Sequence, residues 1–191
     1  MGKEVERAKI AVDKAKEGNR VVMVSSGDPG VYGMAGVVLE VAAKDKNPVP
    51  VEIVPGVTAA TAASAILGAP LVSDFAVISL SDLLTPWEKI ERRLEAAASA
   101  DFSIVLYNPQ SQGRIEPMMK AHQIMLKHID LKTPVGIVHQ AGREGEGVTI
   151  TTLKDLLNCE IYMVTTIVVG NSATKVVNGK MVTARGYKLK E

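Results

Sequence analysis

Three loops in this sequence place polar side chains directly after runs of β-branched residues. The polar residues at these points are Asp28, Thr58 and the pair Tyr107 and Asn108. In open α/β sheets, ligands bind beyond the carboxyl ends of the strands, where helix N-termini present free N–H groups and glycine lets the backbone approach closely. Asp28 could accept hydrogen bonds from a ligand amine or a ribose, and Thr58 could bond a ligand carboxylate. The Tyr107 ring could flank an adenine whose edge bonds Asn108.

Each of these loops also has a purely structural explanation. Asp28 is equally a helix N-cap or a turn former, and Thr58 taken alone is more often a cap than a ligand. The dipeptide of Asn108 and Pro109 is typical of a plain turn. Residue types alone therefore leave both interpretations open for all three loops.

Other chemistries lack the residue patterns that they need. No Gly-rich loop ends in Gly-Lys-Ser/Thr, so a phosphate-binding P-loop is not indicated. The three histidines have neither zincin spacing nor carboxylate neighbours, and we expect no metal site. The serines near strand ends lie in no nucleophile-elbow pattern, which leaves covalent hydrolysis unsupported. These residues are His122, His128, His139, Ser25, Ser26 and Ser79.

The composition is that of an ordinary globular protein. Of 191 residues, 47% are hydrophobic and 23% charged, and 22 basic against 21 acidic side chains leave a net charge of +1. We therefore expect no nucleic-acid partner. The longest apolar runs fall short of the roughly 20 residues of a membrane helix, and we expect no membrane insertion and no signal peptide. The single cysteine, Cys159, fits a reducing compartment, and we expect the cytoplasm.

Alternating strand and helix patterns must position the three loops. The alternation continues to about residue 133, after which the chain becomes β-rich, with a hairpin turn at 142–147. This pattern predicts an α/β fold with a mostly parallel sheet in a first lobe, 1–72, and a mixed sheet in a second lobe, 73–191, joined near 70–74. The predicted strands are 21–24, 51–54, 75–80, 103–107, 135–139, 147–151 and 164–169, and the predicted helices are 5–15, 33–43, 58–67, 87–98 and 115–128. In the last helix we expect core positions for Met118, Met119 and Met125, and surface positions for His122 and His128.

Taken together, the loops resemble those of a known family. The strings Ser-Ser-Gly-Asp-Pro-Gly-Val-Tyr-Gly-Met-Ala at 25–35 and Ile-Val-Pro-Gly-Val-Thr-Ala-Ala at 53–60 are similar to motifs of the tetrapyrrole methylases. The string Ile-Ser-Leu-Ser-Asp-Leu-Leu-Thr-Pro-Trp at 78–87 resembles the members that methylate carbon 17 of precorrin-3B or its cobalt-containing counterpart. Shorter strings with that resemblance stand at 107–111, 133–138 and 169–172. The resemblance covers essentially the whole chain. It implies methyl transfer from S-adenosylmethionine, S-adenosylhomocysteine as product, and ring contraction on the way to cobalamin.

The resemblance also assigns roles to individual residues. Methyl transfer from a sulfonium depends mainly on aligning donor and acceptor, so donor contacts are easier to assign than a catalytic base. The implied contacts are Asp28, Gly30, Val31 and Tyr32 for the methionine and ribose portions, Thr58 and Ala59 for the carboxylate, Tyr107 and Asn108 for the adenosine, and the backbone of Gln140 and Ala141 for the adenine. The implied proton-transfer residues are Ser79, Ser81 and Asp82. Asp82 is equally a cap for the turn that follows it.

The resemblance also implies a substrate and an oligomeric state, and the chain differs from its relatives at two points. The substrate implied is a tetrapyrrole, and we expect a homodimer that covers the apolar segment 83–87, although Trp87 is equally a core residue. Relatives carry a first strand and a Gly-Pro-Gly-Asp-type loop that we expect to precede the region present here, and a His where this chain has Ser73. The rivals are a sibling enzyme that methylates another position, and a chain that binds donor or tetrapyrrole, or dimerises, without turnover.

Overall fold

The computed structural model describes residues 2–111 and 113–188, in two compact units. The first unit ends at Thr58 and the second begins at Ala59. The predicted join at 70–74 therefore falls inside the second unit, and the division into lobes 1–72 and 73–191 stays a prediction. None of the helices in the described ranges is both long and apolar enough to cross a membrane.

The first unit is built on two helices that pack against each other. They are α1, Glu4–Lys16, and α2, Ala35–Ala42. Helix α1 has acidic residues in its first turn and lysines in its last, which complements the helix dipole. It ends at Gly18, whose φ of 88° is the left-handed conformation that glycine adopts at a helix C-terminus. An ion pair at 2.5 Å joins Lys16 to Asp45, so the end of α1 is tied to the segment after α2.

Neither of the two strands predicted in the first unit is formed. Residues 21–24 and 51–54 pair in no sheet, and among the described residues of this unit no β-ladder is present. Val22 and Val24 are each 85% exposed, although such β-branched runs are typical of strands buried in parallel sheets. The predicted parallel sheet of the first lobe is thus not formed here, because a run becomes a strand only when a neighbour takes its backbone hydrogen bonds. The two runs and both helices line a cleft of about 410 Å³.

The second unit holds all strands that the structure assigns in the described ranges. Its helices are α3 (Ala59–Leu67), α4 (Trp87–Ser99) and α5 (Glu116–Met125), with a 3-10 turn at Leu156–Asn158. Its strands are β1 (Gly68–Ala69), β2 (Phe75–Ser79), β3 (Ser103–Tyr107), β4 (Pro134–His139), β5 (Gly147–Thr152), β6 (Thr165–Val169), β7 (Thr174–Val177) and β8 (Lys180–Thr183). The α/β class is confirmed, and so is the mixed sheet in the C-terminal part.

The main sheet sets the direction of the loops that follow its strands. Its order is β2-β3-β6-β4-β5, with β2 parallel to β3 and every other neighbouring pair antiparallel. Since β6 runs against both β3 and β4, the strands β2, β3 and β4 all point the same way. Their carboxyl ends therefore lie at one edge of the sheet. A second, smaller sheet has the order β1-β8-β7, with β1 parallel to β8 and β7 antiparallel to it.

The two faces of the main sheet are covered by helices of the second unit. One apolar cluster contains residues of α4, α5 and the sheet, and another contains α3 packed on β3, β4 and β6. Gly136 explains how closely α3 can approach, since a Cβ at this position would lie 2.4 Å from a Leu67 methyl. The core therefore depends on a residue without a side chain at the centre of β4.

Two side chains of α5 differ from the sequence-based expectation. Met118 and Met125 are buried as expected, but Met119 is 45% exposed, because it is turned about 100° away from Met118 around the helix. His122 was expected at the surface and is instead buried, where its Nε2 lies 2.7 Å from the Leu153 carbonyl oxygen. A helical wheel gives the buried face but does not reveal a carbonyl that is ready to pair with a polar side chain there.

Candidate functional site

Asp28 ties together the two polar loops of the first unit. Its carboxylate accepts a hydrogen bond from the Gly30 N–H at 2.7 Å with one oxygen and from the Gly56 N–H at 2.9 Å with the other. The Gly56 and Gly30 N–H groups hold the pKa of Asp28 below its ordinary value of 3.8. The carboxylate is therefore charged at neutral pH. Asp28 therefore forms a turn, which is one of the two interpretations that its sequence context leaves open. This turn joins the loops that follow residues 21–24 and 51–54.

Two glycines allow this close approach of the loops. A Cβ at Gly56 would lie 2.3 Å from the Gly27 carbonyl oxygen, and a Cβ at Gly33 would lie 2.6 Å from the Pro29 carbonyl oxygen. Backbone atoms cannot move aside as a flexible side chain can. The Gly-rich composition of these motifs is thus explained by main-chain packing within the unit.

Strained backbone marks three of the predicted donor-site loops. Five non-glycine residues in the described ranges have positive φ, and three of them are Tyr32 at 53°, Asn108 at 51° and Gln140 at 48°. A tyrosine or glutamine in this conformation costs roughly 1–3 kcal/mol, and such residues cluster at ligand and active sites. Sequence patterns could not reveal this feature, because only asparagine among the three favours a positive φ.

Tyr107 connects the end of β3 to the start of α3. Its hydroxyl oxygen accepts a hydrogen bond from the Ala60 N–H at 2.6 Å. The structure thus brings Tyr107 next to Ala59. The resemblance assigns both residues to the same ligand. The hydroxyl satisfies one of the N–H groups that the first turn of a helix leaves without a partner.

The loops after β2 and β3 meet because these strands are parallel neighbours with Ser79 opposite Tyr107. The Asn108 side-chain amide donates to the Ser79 hydroxyl at 2.9 Å, and the Ser81 N–H donates to the same oxygen at 3.2 Å. Two of the three predicted proton-transfer residues, Ser79 and Ser81, are therefore in direct contact. Ser79 is also held by the residue predicted to meet the adenosine.

Arg114 is the residue that the sequence analysis missed. Its guanidinium donates to the Leu80 carbonyl at 2.9 Å and to the Asn108 carbonyl at 3.2 Å, and it lies 3.4 Å from an Asp82 carboxylate oxygen. Asp82, the third predicted proton-transfer residue, is thus paired with a cation. A lone arginine after an Asn-Pro turn carries no sequence signal strong enough to find it.

The turn after β4 lies at the same sheet edge. The Gln140 N–H donates to Val164 at 3.2 Å, and the Gln140 carbonyl accepts from Arg143 at 2.9 Å. His139, the last residue of β4, lies 2.8 Å by Nδ1 from the Thr165 hydroxyl. Ala141 packs partly against the apolar cluster beneath α3. These polar contacts fix the turn that contains the left-handed residue Gln140.

The predicted donor residues divide evenly between the two units. The first unit holds Asp28, Gly30, Val31, Tyr32 and Thr58, and the second holds Ala59, Tyr107, Asn108, Gln140 and Ala141. Val31 and Tyr32 are exposed, and Thr58 is half-buried. Among the described residues, no three His, Cys, Asp or Glu side chains are grouped so that they could hold a metal ion.

Comparison with known proteins identifies relatives along nearly the whole chain. The family model described as Tetrapyrrole (Corrin/Porphyrin) Methylases matches residues 2–157. A probable cobalt-factor III C(17)-methyltransferase of Salmonella typhimurium is 48% identical over 99% of this chain and 78% of its own. A cobalt-factor III methyltransferase of Priestia megaterium is 50% identical over 100% of this chain. A precorrin-3B C(17)-methyltransferase of Sinorhizobium is 42% identical over 91% of this chain and 70% of its own.

The relatives are longer than the chain, and solved structures share its fold. The chain spans 36% of the length of the Priestia protein. The crystal structure of the methyltransferase CobJ matches with a TM-score of 0.88 and 35% identity, over 95% of this chain and 77% of that one. A uroporphyrin-III C-methyltransferase from Thermus thermophilus, complexed with S-adenosylhomocysteine, matches with a TM-score of 0.66 at 21% identity, over 88% and 74% of the two chains.

Proposed function

The chain belongs to the tetrapyrrole methylase family, and we propose that it transfers a methyl group from S-adenosylmethionine to carbon 17 of cobalt-factor III or precorrin-3B, with ring contraction. The observation that carries the proposal is the meeting of Ser79 and Asn108 at the sheet edge. The string 78–87 and the string 107–111, which resemble the carbon-17 enzymes, are the two loops that this contact joins. Relatives named as cobalt-factor III or precorrin-3B methyltransferases are 42–50% identical to the chain.

The donor contacts follow the loops described above. In the first unit, Asp28 keeps its charge and fixes the loop of Gly30 and Val31, two exposed residues that suit the methionine and ribose portions. Thr58 and Ala59 stand where a helix N-terminus suits a carboxylate. In the second unit, the Asn108 amide and the backbone of Gln140 and Ala141 suit an adenosine, and Tyr107 flanks it. When bound, the donor supplies an electrophilic methyl group, so no strong base is obligatory for the transfer.

The chain's own contribution to catalysis is alignment and proton movement. Alignment of the reacting atoms can supply about 7–11 kcal/mol of the barrier reduction when the bound geometry is near attack. The positive φ angles at Asn108 and Gln140 support loops whose backbone is fixed before the ligands bind. The Ser79 hydroxyl oxygen accepts hydrogen bonds from the Asn108 amide and the Ser81 N–H, so its position is fixed from both loops. Ser79 is therefore the better candidate for proton transfer, whereas Asp82 is paired with the Arg114 cation.

We also propose a homodimer that covers the segment 83–87. Leu84 is 93% exposed and Leu83 is exposed beside it, whereas Trp87 packs partly against the core with Lys120 over its ring at 5.5 Å. The two leucines thus supply the apolar contact surface, and Trp87 anchors the segment to the molecule. Light scattering at tens of micromolar protein should give twice the chain mass. A monomer that persists at this concentration would contradict the dimer.

The test of the methyltransferase proposal uses labelled donor and both substrates. We expect the protein to transfer a labelled methyl group to carbon 17, identified by NMR of the product. Asn108→Ala should lower kcat by at least about tenfold, because it removes the hydrogen bond to Ser79. Asn178→Ala is the matched control, since Asn178 also has positive φ, at 48°, but stands in the hairpin between β7 and β8.

Three results would contradict the proposal. Transfer to another ring position would support a sibling specificity instead. Donor binding without any transfer would support a binding role. Equal loss of kcat in Asn108→Ala and Asn178→Ala would show that the backbone strain of alanine at a positive φ, and not the lost contact with Ser79, determines the effect.

A further inference from the structure

Arg114 joins the loops after β2 and β3 through their carbonyl groups. Its guanidinium reaches the Leu80 carbonyl of one loop at 2.9 Å and the Asn108 carbonyl of the other at 3.2 Å. The same group lies 3.4 Å from Asp82, and its Nε–H points to the Ser111 hydroxyl at 3.5 Å. One planar group therefore contacts both loops at once.

The hydrogen bonds from Arg114 to the Leu80 and Asn108 carbonyl groups, and not its ion pair with Asp82, keep the two loops together. The Arg114 side chain is 29% exposed and that of Asp82 is 51% exposed, so water and salt screen their attraction. The guanidinium is a rigid fork with five donors, which can satisfy acceptors on two chain segments with one orientation. A lysine ammonium is a point charge and lacks this fixed geometry.

Asn108 is the residue through which Arg114 reaches the other loop. Its φ of 51° is left-handed, a conformation that asparagine adopts more readily than most residues. The Arg114 guanidinium donates to the Asn108 carbonyl, and the Asn108 side-chain amide donates to the Ser79 hydroxyl. Asn108 is thus held at both its main chain and its side chain. Loss of the Arg114 contact would let the hydrogen bond between Asn108 and Ser79 lengthen.

We propose that Arg114 is a positioning residue of the methyltransferase, which fixes Asn108 and the loop 79–82 in the geometry required for transfer. This role rests on the proposed function. It acts through Asn108 and Ser79, and Arg114 itself does not touch the reacting atoms. The role does not follow from the family resemblance, which gave no part to this residue.

The experiment compares Arg114→Ala and Arg114→Lys with the control Arg93→Ala. Arg93 is an exposed arginine on α4 without a described ion pair or hydrogen bond. We expect kcat to fall by about ten- to a hundredfold in Arg114→Ala, the effect of losing charge-assisted hydrogen bonds, and by less in Arg114→Lys. The KM for S-adenosylmethionine should change by less than about threefold, because the other donor loops keep their contacts. Arg93→Ala should leave both constants unchanged.

Two further readouts separate positioning from general stability. The fluorescence of Trp87, the only tryptophan, reports on the segment after Asp82, and its emission should shift in Arg114→Ala but not in Arg93→Ala. The effects of Arg114→Ala and Asn108→Ala on kcat should combine less than additively, because the two residues act on one contact.

Specific outcomes would overturn the proposal. A wild-type kcat in Arg114→Ala would overturn it. A wild-type kcat in Arg114→Lys would also overturn it, because a positive charge alone would then suffice. Full additivity with Asn108→Ala would also do so. If the unsubstituted protein transfers no methyl group, the proposed function fails, and the Trp87 shift still tests whether Arg114 holds the loop.

Discussion

The two units use the same residue types in opposite ways. The run Val21, Val22, Met23, Val24 in the first unit resembles the strand Thr165–Val169 in the second in its β-branched composition. The strand is paired on both sides and its five residues are all buried, whereas the run has no ladder and is mostly exposed. Side-chain pattern therefore gives the capacity to form a strand, and the neighbouring backbone decides whether one forms.

Hydrogen exchange should show the largest contrast between the units. Amides of β3 and β6 form ladder bonds within a buried sheet and open only with global unfolding, which costs about 5–15 kcal/mol. We expect them to exchange at least about a thousandfold more slowly than the amides of Val22, Val24 and Val54, for which no hydrogen bond is described. Equal protection of 21–24 and 103–107 would show that the first unit is paired in solution.

A matched pair of valine substitutions should give the next largest effect. Val168 in β6 is fully buried and Val24 is 85% exposed. Val168→Ala should lower the free energy of unfolding by about 1.5–3 kcal/mol, the value of burying a valine side chain. Val24→Ala should change it by less than about 0.5 kcal/mol. Urea denaturation measures both, and a large loss in Val24→Ala would mean that the run is covered in solution.

The main sheet and the helices of the second unit could be predicted from the sequence, whereas the three strands of the smaller sheet, β1, β7 and β8, were not predicted. The strands at 75–80, 103–107 and 135–139 agree with β2, β3 and β4 to within one residue, because each is a β-branched run bounded by turn residues. The hairpin at 142–147 is also confirmed, since β4 and β5 pair antiparallel. Local pattern suffices where the partner strand lies in the same unit.

What the sequence could not supply depends on contacts between distant residues. The Asp28 bond to Gly56 and the Tyr107 bond to Ala60 join residues far apart in the chain. Arg114 gives no local signal, and burial of His122 depends on the Leu153 carbonyl. Residue types predicted which loops matter, and the fold determines which atoms meet. The donor and proton-transfer assignments themselves stay proposals.

Substitution of Asp28 should separate its charge from its turn. Asp28→Asn removes the charge but keeps an acceptor oxygen, and we expect affinity for S-adenosylhomocysteine to fall by about tenfold, measured by calorimetry. Asp45→Asn is the control, an aspartate of the same unit that is paired with Lys16 and outside the predicted site. An unchanged affinity together with a lower melting temperature would assign Asp28 to structure alone.

The pH dependence of unfolding should also show the contribution of the Asp28 charge. The folded-state pKa of Asp28 is depressed below 3.8 by the Gly56 and Gly30 N–H groups, so its contribution is fully present above that value and is lost as the pH falls through the lower folded pKa. We expect the stabilities of wild type and Asp28→Asn to differ by a constant amount above about pH 4 and to approach each other below it, because only the wild type loses this contribution in acid. Parallel curves throughout this range would mean that the carboxylate gains nothing from the two N–H groups.

Glycine substitutions test whether the first unit, which has no sheet, unfolds cooperatively, and we expect their effects to be the smallest. Gly36 in α2 and Gly18 after α1 both have open space where a Cβ would be added, and they differ in backbone conformation. Gly36→Ala should stabilise the helix by about 0.5–1 kcal/mol, because alanine loses less conformational freedom than glycine on folding. Gly18→Ala should destabilise by about 1–2 kcal/mol, because its φ of 88° is left-handed. If neither substitution moves the unfolding midpoint of this unit, its helices do not melt cooperatively. The first unit would then differ from the second in its cooperativity of unfolding as well as in its lack of paired strands.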